Sequence, residues 1–322
     1  MTLTRRLMLG APIALATPAL AQPALPRQSI RLLVPFAPGS GSDTIARIVA
    51  NGMKDVLDRT IVVENRPGGG GTTGTEQGAR AAPDGTTIVM GTSSSLGINA
   101  AQNPHAGYRV DRDFAAVAGC ARSYYLIATH TGADAPRSLG ELVARLRAGG
   151  GNFAMGGVGT IGHLTSELFL MRAGVRAEGV SYRGSAPALT DLAAGREMFS
   201  CDTLAAMAPF LSGGRLRALA VTAPTRLAAL PEVPTTAEAG VADLVVDAWF
   251  GMVVPAATPA PIVATLGDAV MATLAQAETR ARLDALMVEP MPLRGPEFAT
   301  LMRESTGFWV DFVRRAGLRI EF

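Results

Sequence analysis

Short apolar runs alternate along this chain with longer stretches of helical period. Ile30-Arg31-Leu32-Leu33-Val34-Pro35 reads as a buried strand. Residues 44–57 repeat apolar positions at helical spacing and predict a helix, with Ile45, Ile48, Val49, Gly52 and Val56 on one face. A strand over 60–64, a helix over 75–82 and a strand over 86–91 follow. Pro83-Asp84-Gly85 is the turn signal between the last two. This β-α-β-α-β order is the signature of a parallel sheet. A second set begins near residue 123. Strands over 124–129, 152–156, 180–182, 198–201 and 216–222 alternate with helices over 138–148, 163–173, 186–194 and 204–211. Ser138 is placed to cap the first of these helices. A strand over 249–254 and helices over 260–276, 278–286 and 296–315 complete the chain. The order predicts two α/β lobes, 22–122 with 248–322 and 123–247. The chain would cross between them twice, giving a two-strand hinge able to close on a ligand.

The first 21 residues follow a different pattern. Thr4-Arg5-Arg6 supplies charge, 7–15 a short apolar stretch, and Ala19-Leu20-Ala21 a small-x-small cleavage site before Gln22. This predicts a cleaved signal peptide, 1–21, and a periplasmic protein. Arg5-Arg6 before Leu7-Met8-Leu9 resembles a twin-arginine signal, but Sec signals also hold paired arginines, so the export route stays open. No stretch after it approaches the roughly 20 apolar residues of a membrane span.

Charge changes the picture once the signal is set aside. Without Arg5 and Arg6, the 29 basic residues become 27 against 27 acidic, and Lys54 is the sole lysine. A balanced, scattered charge points away from nucleic acid. Aromatic content of 5% argues against a stacking groove for sugars or single strands. Cys120 and Cys201 could pair in an oxidising compartment, or be two small buried hydrophobes; sequence separation decides neither.

Catalytic motifs are weak. Gly69-Gly70-Gly71-Thr72-Thr73-Gly74 fits the dinucleotide fingerprint, but the next strand ends in Thr92-Ser93-Ser94-Ser95 without the acidic residue a ribose needs. No G-x-S-x-G occurs, His105, His130 and His163 sit in no triad context, and no cluster has metal-ligand spacing. No cofactor, metal or enzymatic activity is expected. The stronger pattern is polar groups at strand ends, where open α/β sheets bind ligands. These are Ser40-Gly41-Ser42-Asp43, Thr72-Thr73, Ser93-Ser94-Ser95, Gly157-Val158-Gly159-Thr160, Arg183-Gly184-Ser185 and Asp202-Thr203. Hydroxyls and helix-start N–H groups suit carboxylate oxygens. Each is also explicable as an ordinary cap or turn, and Asp43 as the cap of the helix from Thr44. Asp202 would repel an anion unless it meets a ligand amine, hydroxyl or shared water.

With these residues in view, the chain resembles the substrate-binding proteins of tripartite tricarboxylate transporters, the Bug family. The resemblance rests on Val34-Pro35-Phe36-Ala37-Pro38-Gly39 with Asp43, Val63-Glu64-Asn65-Arg66-Pro67-Gly68, Pro83-Asp84-Gly85-Thr86 and Tyr182-Arg183-Gly184. Leu230-Pro231-Glu232-Val233-Pro234-Thr235, Glu238-Ala239-Gly240 and Trp249-Phe250-Gly251 extend it over nearly all the chain after the signal. It implies a type II periplasmic binding protein fold and a small carboxylate held largely by backbone N–H groups. It also implies delivery to integral membrane permease subunits, and a monomer is expected. Carried over by position, it implies ligand contacts at Ser40, Gly41, Ser42, Asp43, Thr73, Ser93, Ser94, Gly159, Thr160, His163, Arg183 and Asp202. Two positions depart from the family. Ser40 stands where glycine is usual, so a Cβ would crowd a loop needing positive φ or add a hydroxyl. Ser181 stands where proline is frequent. A sensory protein signalling to a membrane kinase, and a secreted enzyme on the same fold, are the competing expectations.

Overall fold

Strand β1 (Ile30–Val34) is buried at every position except Arg31 and forms the axis on which the first half assembles. In this computed structural model residues 24–317 and 320 are described; the expected signal segment 1–21 lies outside them. Helix α1 (Gly41–Leu57) leads from β1 to β2 (Ile61–Asn65), and α2 (Thr72–Ala79) leads on to β3 (Thr87–Thr92). Both β2 and β3 lie parallel to β1, and all six residues of β3 are buried.

Helix α1 begins three residues before the expected start because Ser40, not Asp43, is its N-cap. Ser40 has φ −69°, so its Cβ meets no left-handed backbone, and its Oγ accepts from Asp43 N–H. The positive φ of this loop falls on Gly39, at 78°. The buried face of α1 is Ile45, Val49, Gly52 and Met53, while Val56 is 41% exposed and Ile48 half-buried. Gly52 is required there: a Cβ would stand 2.5 Å from Thr273 Cγ2 of α9 (Ala260–Ala275).

After β3 the chain makes a π-helical turn, Ser93–Ile98, continues as α3 (Asn99–Gln102) and α4 (Val110–Asp113), and enters β4 (Phe114–His130). The pattern of 114–123 hid the first half of this 17-residue strand. Its Ala and Gly have little strand preference of their own, and cross-strand pairing fixes them instead. Next come α5 (Leu139–Gly149), β5 (Asn152–Met155), α6 (Ile161–Ala173), β6 (Glu178–Ser181) and α7 (Ser185–Ala193). Then follow β7 (Phe199–Thr203), α8 (Leu204–Ser212), β8 (Leu216–Val221) and β9 (Asp247–Pro255). After α9 the chain ends in α10 (Ala277–Asp284), β10 (Glu289–Pro290) and α11 (Gly295–Ala316).

The strand order is β2-β1-β3-β9-β4-β7-β5-β6, with β10 and β8 also on β4. β4 therefore serves both halves. From Phe114 to Tyr124 it pairs antiparallel with β9, and from Tyr125 onward with β7 and β8. Thr222 pins the crossing. Its N–H donates to Tyr125 O at 2.9 Å, its hydroxyl accepts from Tyr125 N–H at 3.0 Å, and Val246 N–H donates to Thr222 O at 3.1 Å. Apolar packing fills both halves, including the Phe153–Phe199 stack at 5.4 Å and the Phe169–Phe199 edge contact at 5.5 Å. Cys120 and Cys201 are both buried and free, so the pairing alternative is not realised. Among the described residues no single helix is long and apolar enough to cross a membrane.

Candidate functional site: a cleft ringed by helix starts

Parallel strands deliver the helices that follow them to one end of the sheet, and here those ends from both halves face each other. Four helix starts and the π-helical turn line one small cavity between them. Ser40, Gly41 and Ser42 open α1; Thr92, Ser93 and Ser94 open the π turn; Thr160 and Gly162 open α6; Ser185 opens α7; Thr203 caps α8. Each start carries N–H groups without an intrahelical acceptor and a partial positive charge. Phe36, Tyr125 and Phe250 supply apolar walls. Among the described residues no arginine or lysine lines this cavity, and Asp202 is its one carboxyl. The donors this cavity presents are backbone N–H dipoles and hydroxyls, the groups that suit an anion.

The hydroxyls divide into two sets. Ser40, Thr92, Thr160 and Thr203 accept from their own helix's third residue, Thr203 from Ala206 N–H at 3.4 Å, so these oxygens serve as caps. Ser93 is 1% exposed and its Oγ has no protein partner. Ser94 Oγ accepts the N–H of Ile161, the first residue of α6, at 3.0 Å and so ties the two halves together. Ser42 Oγ lies 3.1 Å from Ser40 Oγ. Ser93 is thus the hydroxyl that structure leaves most in need of a ligand, since a buried polar group without a partner carries an uncompensated cost.

The electrostatics centre on Asp202, 8% exposed at the end of β7. Burial raises its pKa from the ordinary aspartate value, opposed by the Ser185 hydroxyl and by Thr203, whose N–H donates to Oδ1 at 2.7 Å. Burial also pushes the neighbouring Cys201 thiol up to about 12 and raises Tyr125, so both stay neutral.

Several expected ligand contacts are placed elsewhere. Asp43 lies behind the first loop with its carboxylate already shared: Gly39 N–H donates at 2.9 Å, Asn65 Nδ2 at 2.8 Å and Arg47 Nε at 3.1 Å. It shapes the loop rather than facing the cavity. His163 Nδ1 accepts from Gly159 N–H at 3.2 Å, and burial lowers its pKa, so the neutral ring holds the Gly157–Thr160 turn in shape. Gly159 is buried in that turn, and Thr73 is exposed on the outer side of α2. Neither lines the cavity. Arg183 lines a second, outer groove with Phe36, the Gly68–Gly71 turn and Val158. Gly68, Gly69, Gly70 and Gly71 all have positive φ, at 140°, 55°, 62° and 100°, which explains four consecutive glycines. Tyr125, Ser185, Thr203, Phe36 and Phe250 line the cavity but were outside the expected set. Ser185 and Thr203 carried a signal, as strand-end hydroxyls; the rings did not.

The halves meet closely. A Cβ on Gly41 would stand 2.6 Å from Thr203 Oγ1, one on Gly70 2.9 Å from Val158 O, and one on Gly184 2.7 Å from Ala37 Cβ. The cavity they leave is about 50 Å3. That is room for a few waters, less than a small organic acid fills.

Comparison with known proteins bears on the family and the fold. A family model described as the tripartite tricarboxylate transporter family receptor matches residues 45–318. Protein BugT of Bordetella pertussis is 30% identical over 98% of this chain and 99% of its own. MatC from Rhodopseudomonas palustris, solved with bound malate, is 32% identical with a TM-score of 0.84, covering 89% of this chain and 99% of its own. A second R. palustris protein, solved with adipate, is 31% identical with a TM-score of 0.88, covering 92% and 99%.

Proposed function

Because this chain belongs to the tripartite tricarboxylate transporter receptor family, we propose that it captures a small carboxylate between two lobes in the periplasm and presents it to integral membrane permease subunits. The observation that carries the carboxylate reading is the meeting of five helix or turn starts on one cavity that, among the described residues, has no cationic side chain in its lining. Fixed N–H dipoles among largely buried lining residues bind anions without reorganisation. The malate and adipate held by the two R. palustris relatives support the same class.

In this reading the lobes are 22–122 with 248–322 and 123–247, moving about β4 and the segment entering β9, with 1–21 removed after Ala21. Ser93, Ser42 and the N–H groups of Gly41, Gly162 and Ser185 bind the carboxylate. Ser40, Thr160 and Thr203 hold the helix starts that present those donors. Arg183 meets whatever part of the ligand extends into the outer groove. The closed pair of lobes is the form the permease recognises.

Mass spectrometry of the protein purified without added ligand tests this directly. A small organic acid at near one equivalent, confirmed by calorimetry, is the expected result. A bound molecule without a carboxylate, or turnover of a bound acid, would refute it.

A further inference from the structure

We propose that this receptor takes up one proton with each carboxylate it captures, held between the Asp202 carboxyl and the ligand's own carboxylate. The inference rests on the carboxylate reading above and adds a second cargo to it. Asp202 is the one carboxyl lining the cavity among the described residues, and it is bonded directly to the start of α8, where Thr203 N–H donates to it at 2.7 Å. An anion drawn to the starts of α1, α6 and α8 is therefore confined beside it. Two carboxylates sharing one site do not both stay ionised; one takes a proton and the pair titrates as a unit.

Among the described residues the surroundings offer Asp202 no compensating cation. On its own strand the nearest group is the Cys201 thiol, and on β4 it is the Tyr125 phenol, both held neutral by burial. α6 carries His163, whose pKa burial lowers, and Glu167, whose pKa burial raises. On α1 the Asp43–Arg47 pair satisfies itself behind the first loop, and Arg122 of β4 is engaged by Asp247 of β9 at 2.8 Å. Arg183, before α7, lines the outer groove, and α8 has no titratable side chain. What Asp202 does receive is the Thr203 N–H at 2.7 Å and the Thr203 hydroxyl at 3.4 Å on Oδ1, with Ser185 beside it. Burial outweighs these donors and already raises its pKa before an anion arrives.

The step balances simply. One solvent proton forms an O–H bond on Asp202, that O–H donates to a ligand carboxylate oxygen, and the proton returns to water when the ligand leaves. The sign follows from linkage. The ligand's charge raises the pKa of Asp202 further, so protons are taken up between its free and bound values. Through that window affinity falls as pH rises, by up to tenfold per pH unit, and it levels off above the bound value.

Calorimetry tests this on the mature protein between pH 5 and 8, in buffers of different ionisation heat, with citrate, malate, adipate, glutamate and benzoate as probes. The expected result is uptake approaching one proton per bound acid and a Kd that rises with pH. Asp202→Asn keeps the size and a donor, so its binding becomes independent of pH and buffer, and at pH 8 it is at least as tight as in the wild type. The wild-type proton count stands alone if that variant misfolds. Buffer-independent heats with a flat Kd in the wild type would overturn the proposal while leaving the carboxylate reading intact. Binding of none of the probes would overturn both.

Discussion

At the scale of single residues, the strand-end hydroxyls look alike in sequence and differ in what they already hold. Ser40, Thr92, Thr160 and Thr203 are occupied by helix N–H groups, whereas Ser93 Oγ is buried without a partner. Ser93→Ala removes the proposed ligand contact and no internal bond. Affinity for the bound acid should fall about 2- to 10-fold, the worth of one hydrogen bond, with the melting temperature unchanged. Calorimetry beside a thermal melt reads both; unaltered affinity would remove Ser93 from the site. Ser94 is a different case, because its Oγ already takes the Ile161 N–H across the cleft. Asp43 teaches the same lesson. It is a carboxylate at a helix start in the right loop, yet Gly39, Asn65 and Arg47 consume it. One residue's neighbours in sequence do not reveal which lone pairs are spent.

At the scale of elements, periodicity placed nearly all the helices and strands, because each half-buried element must repeat its apolar residues at its own period. The failures have local causes. The first half of β4 is rich in Ala and Gly and holds its form by pairing with β9. The π-helical turn Ser93–Ile98 is buried throughout and shows no period. In α1 the packing of α9 against Gly52 selects the Met53 side over Val56. The helix starts are also surfaces that approach one another closely across the cleft. Gly41 opens α1 against α8, where a Cβ would approach Thr203 Oγ1 to 2.6 Å. Gly41→Ala suits the helix itself, but it should hold the halves apart. The expected outcome is affinity lowered by more than about tenfold, for a loss of at least about 1.4 kcal/mol, with the unliganded protein as stable as before. Small-angle scattering should then show no contraction on adding ligand. Normal contraction would show that the contact yields.

At the scale of the whole molecule, two segments carry the chain between the halves, and Thr222 binds both to the strand that ends there. Its backbone and hydroxyl engage Tyr125 and Val246, and it is fully buried. Thr222→Val keeps the shape and strips the hydroxyl from Tyr125 N–H. A loss of about 1–3 kcal/mol in urea unfolding is expected, the cost of orphaning a buried donor. A stability equal to wild type would mean that the crossing does not depend on this bond. Sequence alone determined the alternation of strands and helices, the strand-end placement of the polar turns and, through its motifs, the family resemblance. These are local quantities, set by period, turn chemistry and capping. Which donors converge, which hydroxyls stay free, and that Asp202 stands uncompensated among helix starts were decided only in three dimensions. Those facts depend on how segments more than 100 residues apart, such as Gly41 and Thr203, come to face each other across the cleft. Burial and field are properties of that meeting, and no window of sequence contains it.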